Sequence, residues 1–80
     1  MPRFVLTSTY DDEADAGYIA FDEISPGEVV ENIVVEDPRL GPLSVILDLD
    51  SNGKLLGIEL LDVSLLVARP RFSETETPGR

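Results

Sequence analysis

The sequence contains no cysteine, no histidine and no tryptophan. Without cysteine there is no disulfide framework and no thiolate chemistry. Without cysteine and histidine the chain lacks the usual zinc ligands and the commonest general base. Basic residues are scarce: six Lys+Arg against 16 Asp+Glu leave a formal net charge of -10. The six are scattered, with Arg69 and Arg71 the one close pair, so there is no cluster to drive binding to a phosphate backbone by counterion release. Nucleic acid is therefore not expected as a partner, whereas a basic protein or a metal cation is electrostatically favoured. No apolar run approaches the ~18 residues of a membrane span. The N-terminal Met1-Pro2-Arg3-Phe4-Val5-Leu6 also lacks the long apolar stretch and small-residue cleavage site of a signal peptide. No membrane association is expected, and the expected location is cytoplasmic.

What is present is organised around Ser44 to Asp62, which reads as a β-hairpin. Asn52-Gly53 between two apolar runs matches a type I′ turn, in which both central residues take positive φ. With those two residues as the turn, Asp50 faces Leu55, Leu49 faces Leu56, Asp48 faces Gly57, Leu47 faces Ile58, Ile46 faces Glu59 and Val45 faces Leu60. Alternate pairs share a face. Val45, Leu47, Leu49, Leu56, Ile58 and Leu60 then make one aliphatic surface, and Asp48, Asp50 and Glu59 line the other as an outward rim. A slip of one residue would drive the acids into the core, which fixes the register.

The other elements follow in order. Arg3 to Thr9 is rich in β-branched and aromatic residues and predicts a first strand, with Phe4, Leu6 and Tyr10 inward. Asp11 to Ala16 predicts one tight turn capped by Asp11, with Asp15 helping to end it. Gly17 to Phe21 and Glu28 to Glu36 predict strands two and three, the latter with Val30 and Val34 on the opposite side from Val29, Ile33 and Val35. After the hairpin, Val63, Leu66 and Val67 at helical spacing predict a short helix, capped by Asp62 or Ser64 and stopped by Pro70. The fold class expected is mainly β, a β-rich α+β domain of about five antiparallel strands in a meander with a short C-terminal helix. Residues 1–72 are expected to form one domain and the polar residues 73–80 a disordered tail. A helix of about two turns is unstable alone, and it has a docking place in a second apolar set: Val30, Val34, Ile46, Leu55 and Leu61. At 80 residues the core is small, so self-association into a homo-oligomer is expected as well.

Two motifs carry a resemblance. Tyr10-Asp11-Asp12-Glu13-Ala14-Asp15-Ala16-Gly17-Tyr18-Ile19, followed by Leu47 to Ser64, resembles the domain of unknown function 2283 family of short prokaryotic and phage-associated proteins. The family pattern is roughly Tyr-Asp-x-Glu-Ala-Asp-x-x-Tyr-Ile, then Leu-Asp-x-Asp-x-x-Gly-x-x-x-Gly-Ile-Glu-Ile-Leu-Asp-Ala-Ser. Leu60 and Val63 depart from it, as does a longer connection from Asp37 to Pro42. The resemblance implies a small antiparallel β fold with no established activity. Since some members look like the antitoxin half of toxin–antitoxin pairs, it also implies an acidic chain that neutralises a basic, nuclease-like toxin.

Three groups of residues bear on chemistry. Asp48-Leu49-Asp50-Ser51-Asn52-Gly53 with Glu59 fits the spacing of a calcium-binding EF-hand loop. The flanking strand patterns argue against it, since Glu59 would lie roughly 13 Å along the strand from the partner of Asp50. The acidic turn offers Asp11, Asp12, Glu13 and Asp15 to a hard cation such as magnesium, or as paired acids in hydrolysis; alternatively Asp11 caps the turn's own amides, Asp15 helps end it and the others are solvated. Candidate metal ligands are thus Asp11, Asp15, Asp48, Asp50 and Glu59. The third group is the second apolar set with its acidic border, Val30, Val34, Ile46, Leu55 and Leu61 beside Glu31, Asp48, Asp50 and Glu59. It offers an apolar centre and an anionic rim to a basic partner, unless the C-terminal helix covers it. The expected function is a non-catalytic, cofactor-free interaction protein, antitoxin-like in neutralising a basic protein. The alternative is a divalent-cation-binding module or metal-dependent enzyme.

Overall fold

The computed structural model describes residues 1–73, so beyond Ser73 the expected tail lies outside the described residues. Five strands, β1 (Thr7–Asp11), β2 (Ala16–Ala20), β3 (Glu31–Val34), β4 (Val45–Leu49) and β5 (Leu55–Leu60), precede one helical turn, α1 (Val63–Leu66). All strand pairs are antiparallel and form one sheet in the order β1-β2-β5-β4-β3. The five antiparallel strands and the short helix are as the sequence predicts, but the order is not a simple meander. The β2–β3 connection carries the chain to the far edge, and the run β3-β4-β5 returns, so that Ile19 comes to face Ile58.

The first strand begins later than its composition predicts. The β1–β2 register sets Thr7 against Ala20, so Phe4 to Leu6 run past the end of β2 with no strand to pair. Phe4 instead packs against Phe21, the two rings tilted by 33° with centroids 5.4 Å apart.

The hairpin keeps the predicted pairs Val45–Leu60, Ile46–Glu59, Leu47–Ile58 and Asp48–Gly57, then shifts by one, so that Leu49 faces Leu55. The turn explains the shift. Only Gly53 takes positive φ, at 75°, and its amide donates to the Asp50 carbonyl at 3.0 Å, while the Asp50 amide donates to the Lys54 carbonyl at 2.9 Å. This is a three-residue loop, a type I turn closed by a left-handed glycine, and not the two-residue type I′ turn. Asp50 selects it, because its Oδ1 accepts the amides of Asn52 and Lys54, each at 2.9 Å. The extra residue in β5 moves Leu55 off the second apolar set and onto the aliphatic face opposite Leu49.

Register assigns the two faces. One carries Ile33, Leu47, Ile58 and Ile19 in a row across four strands, with Val45, Leu60 and Gly17 in the next. The other carries the row Val34, Ile46, Glu59, Tyr18, Thr9 and the row Asn32, Asp48, Gly57, Ala20, Thr7.

The helix docks on the aliphatic face, not on the second set as expected. A Cβ built at Gly17 would lie 3.1 Å from Val63 Cγ2, so the absent side chain is what admits Val63. Val63, 5% exposed, is the one buried hydrophobic residue among those described. A single layer of sheet has nothing else to bury against.

Candidate functional site

The side chains that converge lie on the face opposite α1. Tyr18 projects from β2 and lies flat across Gly57, where a Cβ would meet its hydroxyl at 2.2 Å and its ring carbon Cζ at 2.4 Å. The ring thereby reaches the adjoining strand, and its hydroxyl donates to Asp48 Oδ2 at 2.8 Å. From the other side Asn32 Nδ2 donates to Asp48 Oδ1 at 2.6 Å. Asp48 is consequently 4% exposed. The expectation that it forms an outward rim is corrected: it points to the predicted face, but Tyr18 and Asn32 roof it over. The signal was in the hairpin register, since a glycine opposite a strand acid leaves room for a neighbour's ring.

Glu59 adjoins this group. Burial first, and then the adjacent Asp48 carboxylate, raise its carboxyl above the ordinary 4.5. The Tyr18 phenol is pushed up to about 12 by burial and by its bond to Asp48. Both shifts have one cause: negative charge in a partly desolvated place disfavours a further anion. Beside Tyr18 and Glu59, a concavity of about 290 Å³ is lined also by Thr9, Asp11, Ala16 and Leu61.

Asp15 forms a separate structural centre. Its backbone is left-handed, at φ 52°, which ends the β1–β2 turn as expected. Its side chain does more than the sequence suggests. Oδ1 accepts the Tyr10 hydroxyl at 2.8 Å and the Ser64 hydroxyl at 3.1 Å, Oδ2 accepts the Ser64 amide at 3.1 Å, and its carbonyl accepts the Val63 amide at 3.0 Å. These bonds hold the Asp15 carboxyl below the ordinary carboxylate value, the one from Tyr10 contributing most. Asp15 thus caps α1 from 49 residues away. Asp62, at the N-cap position, makes no side-chain cap and accepts the Ser44 hydroxyl at 3.3 Å instead. Asp11 performs the capping expected of it, accepting the Glu13 amide at 3.1 Å.

The five candidate metal ligands are therefore dispersed: Asp15 anchors the helix, Asp50 shapes the hairpin, Asp48 and Glu59 adjoin, and Asp11 shares only the concavity with Glu59. Among the described residues no three acidic side chains stand together as a metal-holding group. Of the expected partner-binding residues, Val34, Ile46 and Glu59 are half-buried in one row, and Val30 is 59% exposed at the end of β3. Asp48 lies beneath them, while Asp50 and Leu55 belong to the turn and the aliphatic face.

A small acidic protein built on one antiparallel layer, with a hydrogen-bonded Tyr–Asp–Asn group on one face and a capped helical turn on the other, defines the class. The chain belongs to the DUF2283 family of proteins of unknown function, whose family model matches residues 8–64. That span contains Tyr10, Asp15 and Ser64 of the helix anchor and Tyr18, Asp48, Gly57 and Glu59 of the opposite face. No curated protein and no solved structure matches the chain. Among the described residues no helix is long and apolar enough to cross a membrane.

Proposed function

We propose that this protein is a non-catalytic interaction domain whose Tyr18–Glu59 face binds a basic partner protein and neutralises it in the manner of an antitoxin. The observation that carries this reading is the distribution of charge. The five strands contain four acids, Asp11, Glu31, Asp48 and Glu59, and no Lys or Arg. Three of the four share the face of Tyr18. One ion pair, Arg39–Asp37 at 2.8 Å, occurs among the described residues, so the acidic excess is left to an external cation. Val34, Ile46 and Leu61 supply apolar contact beside Glu59 and Asp11, an arrangement that suits a Lys or Arg stem with its charge at the rim. Asp48 and Asn32 serve as the support that fixes Tyr18.

The test is recovery of a basic partner with the tagged chain from its host, repeated with Ile46→Lys and Glu59→Lys. One basic protein at equal stoichiometry, lost in both variants and weakened by salt, supports the assignment. A partner retained by both variants, or a partner that is itself acidic, overturns it.

A further inference from the structure

We infer that the aliphatic face of the sheet is a dimer interface that receives a second copy of the same chain, sheet against sheet. The inference stands apart from the proposed partner site, which occupies the other face. Its starting point is incomplete burial. Ile19, Val45, Leu47, Leu49, Leu56, Ile58 and Leu60 are all half-buried, while Ile33 and Leu55 remain 42% and 39% exposed. Lateral neighbours within a sheet bring side chains to about this level, and a second layer about 10 Å away is what completes it.

Among the described residues nothing lies over the centre of this face, and Phe72 covers only the β1 edge, where it stacks on Tyr10 with ring centroids 4.1 Å apart. Helix α1 is four residues long and covers the corner at Gly17. Phe4 covers the corner at Phe21. The central row Ile33, Leu47, Ile58, Ile19 lies between them, and residues 74–80, Glu-Thr-Glu-Thr-Pro-Gly-Arg, bring no large apolar side chain.

Area and charge select a second copy. Five strands about 4.8 Å apart and about 17 Å long give a flat face of ~400 Å². Two such faces together bury ~800 Å², the scale of a small interface between copies. At a net charge of -10, two copies repel wherever their acids meet. On this face the strands carry one charged residue, Glu31, on β3 at the sheet edge, so two aliphatic faces meet without desolvating a carboxylate at their centre. A two-fold axis near the Leu47–Ile58 pair sets the central row of one copy across that of the other, the self-complementary arrangement of a closed dimer.

Light scattering on the eluted protein is expected to give twice the chain mass of 8.7 kDa. In the double variant Ile33→Glu, Leu55→Glu, both positions are solvent-accessible in the single chain, so circular dichroism should be unchanged. The dimer dissociation constant should rise about a hundredfold or more, because four carboxylates would enter one apolar interface. The wild-type protein supplies an independent measurement. In a mixture of ¹³C-labelled and unlabelled chains, intermolecular methyl contacts should arise from Leu47 and Ile58. A monomer at millimolar concentration, a dimer untouched by the double variant, or intermolecular contacts confined to Tyr18 and Ile46 or to the edges β1 and β3 would each overturn the inference.

Discussion

Replacing Gly57 with alanine tests the central geometry of the Tyr18 face, because two physical effects of opposite sign compete there. On backbone grounds alone, Gly→Ala in a strand interior stabilises by ~0.5–1 kcal/mol, since alanine loses less conformational freedom on folding. The structure predicts the reverse. A Cβ at this position would lie 2.2 to 2.7 Å from three atoms of Tyr18, closer than any van der Waals contact allows. The ring can swing away, so the cost is the interaction it abandons. Its hydroxyl bond to a buried carboxylate belongs to a class worth ~1.5–3 kcal/mol. The low half of that range applies, because Tyr18 keeps part of its surface in water. Offset by the backbone gain, the variant should be destabilised by about 1 kcal/mol, or ~4–8 °C in melting temperature for a domain of this size. Denaturation at fixed protein concentration measures it, concentration being held constant because association would shift the midpoint. Ultraviolet titration gives a second readout: the Tyr18 phenol should fall from about 12 toward its ordinary 10.0. In a Tyr18→Ala background the same substitution should become stabilising. A Gly57→Ala protein that is more stable than wild type, or whose Tyr18 still titrates near 12, would refute the close approach of ring and strand.

Three further outcomes follow. Asp48→Lys should prevent folding or cost at least ~3 kcal/mol, because it buries a cation among groups placed for a carboxylate; Asp50→Lys should fold, at a cost of about 1 kcal/mol in lost turn hydrogen bonds, and circular dichroism with urea titration separates them. Glu59→Gln should raise the melting temperature at pH 7 and have no stabilising effect below about pH 4. The native protein holds the Glu59 proton to higher pH than the unfolded chain, so this group's contribution is present below the ordinary 4.5 and is lost as pH rises through the folded value; equal gain at both pH values would contradict the shift. Asp15→Ala should release α1, seen as faster hydrogen exchange at the amides of Val63, Ser64 and Val67, with the β4–β5 amides unchanged; uniform acceleration would mean that Asp15 supports the whole sheet.

Much of this architecture is written locally. Apolar alternation in Val45–Leu49 and Leu55–Leu60, with turn chemistry at Asp50 to Gly53, determines a hairpin and its pairing from Val45–Leu60 to Asp48–Gly57, because the period of a strand is two. The two spaced motifs determine the family. The chain could not by itself reveal that Asp50, through two hydrogen bonds to backbone amides, would favour a three-residue loop and shift Leu55 to the opposite face. Nor could it show that β5 would settle between β2 and β4. From that pairing come the results that matter most: Tyr18 crossing Gly57 to cover Asp48, Asp15 capping a helix far along the chain, and Val63 entering at Gly17. Each depends on space left by a glycine or on an amide left without a partner, quantities that exist only once strands distant in sequence stand about 5 Å apart. The acidic composition fixes the sign of the surface charge, and the sheet order fixes which side chains share each face.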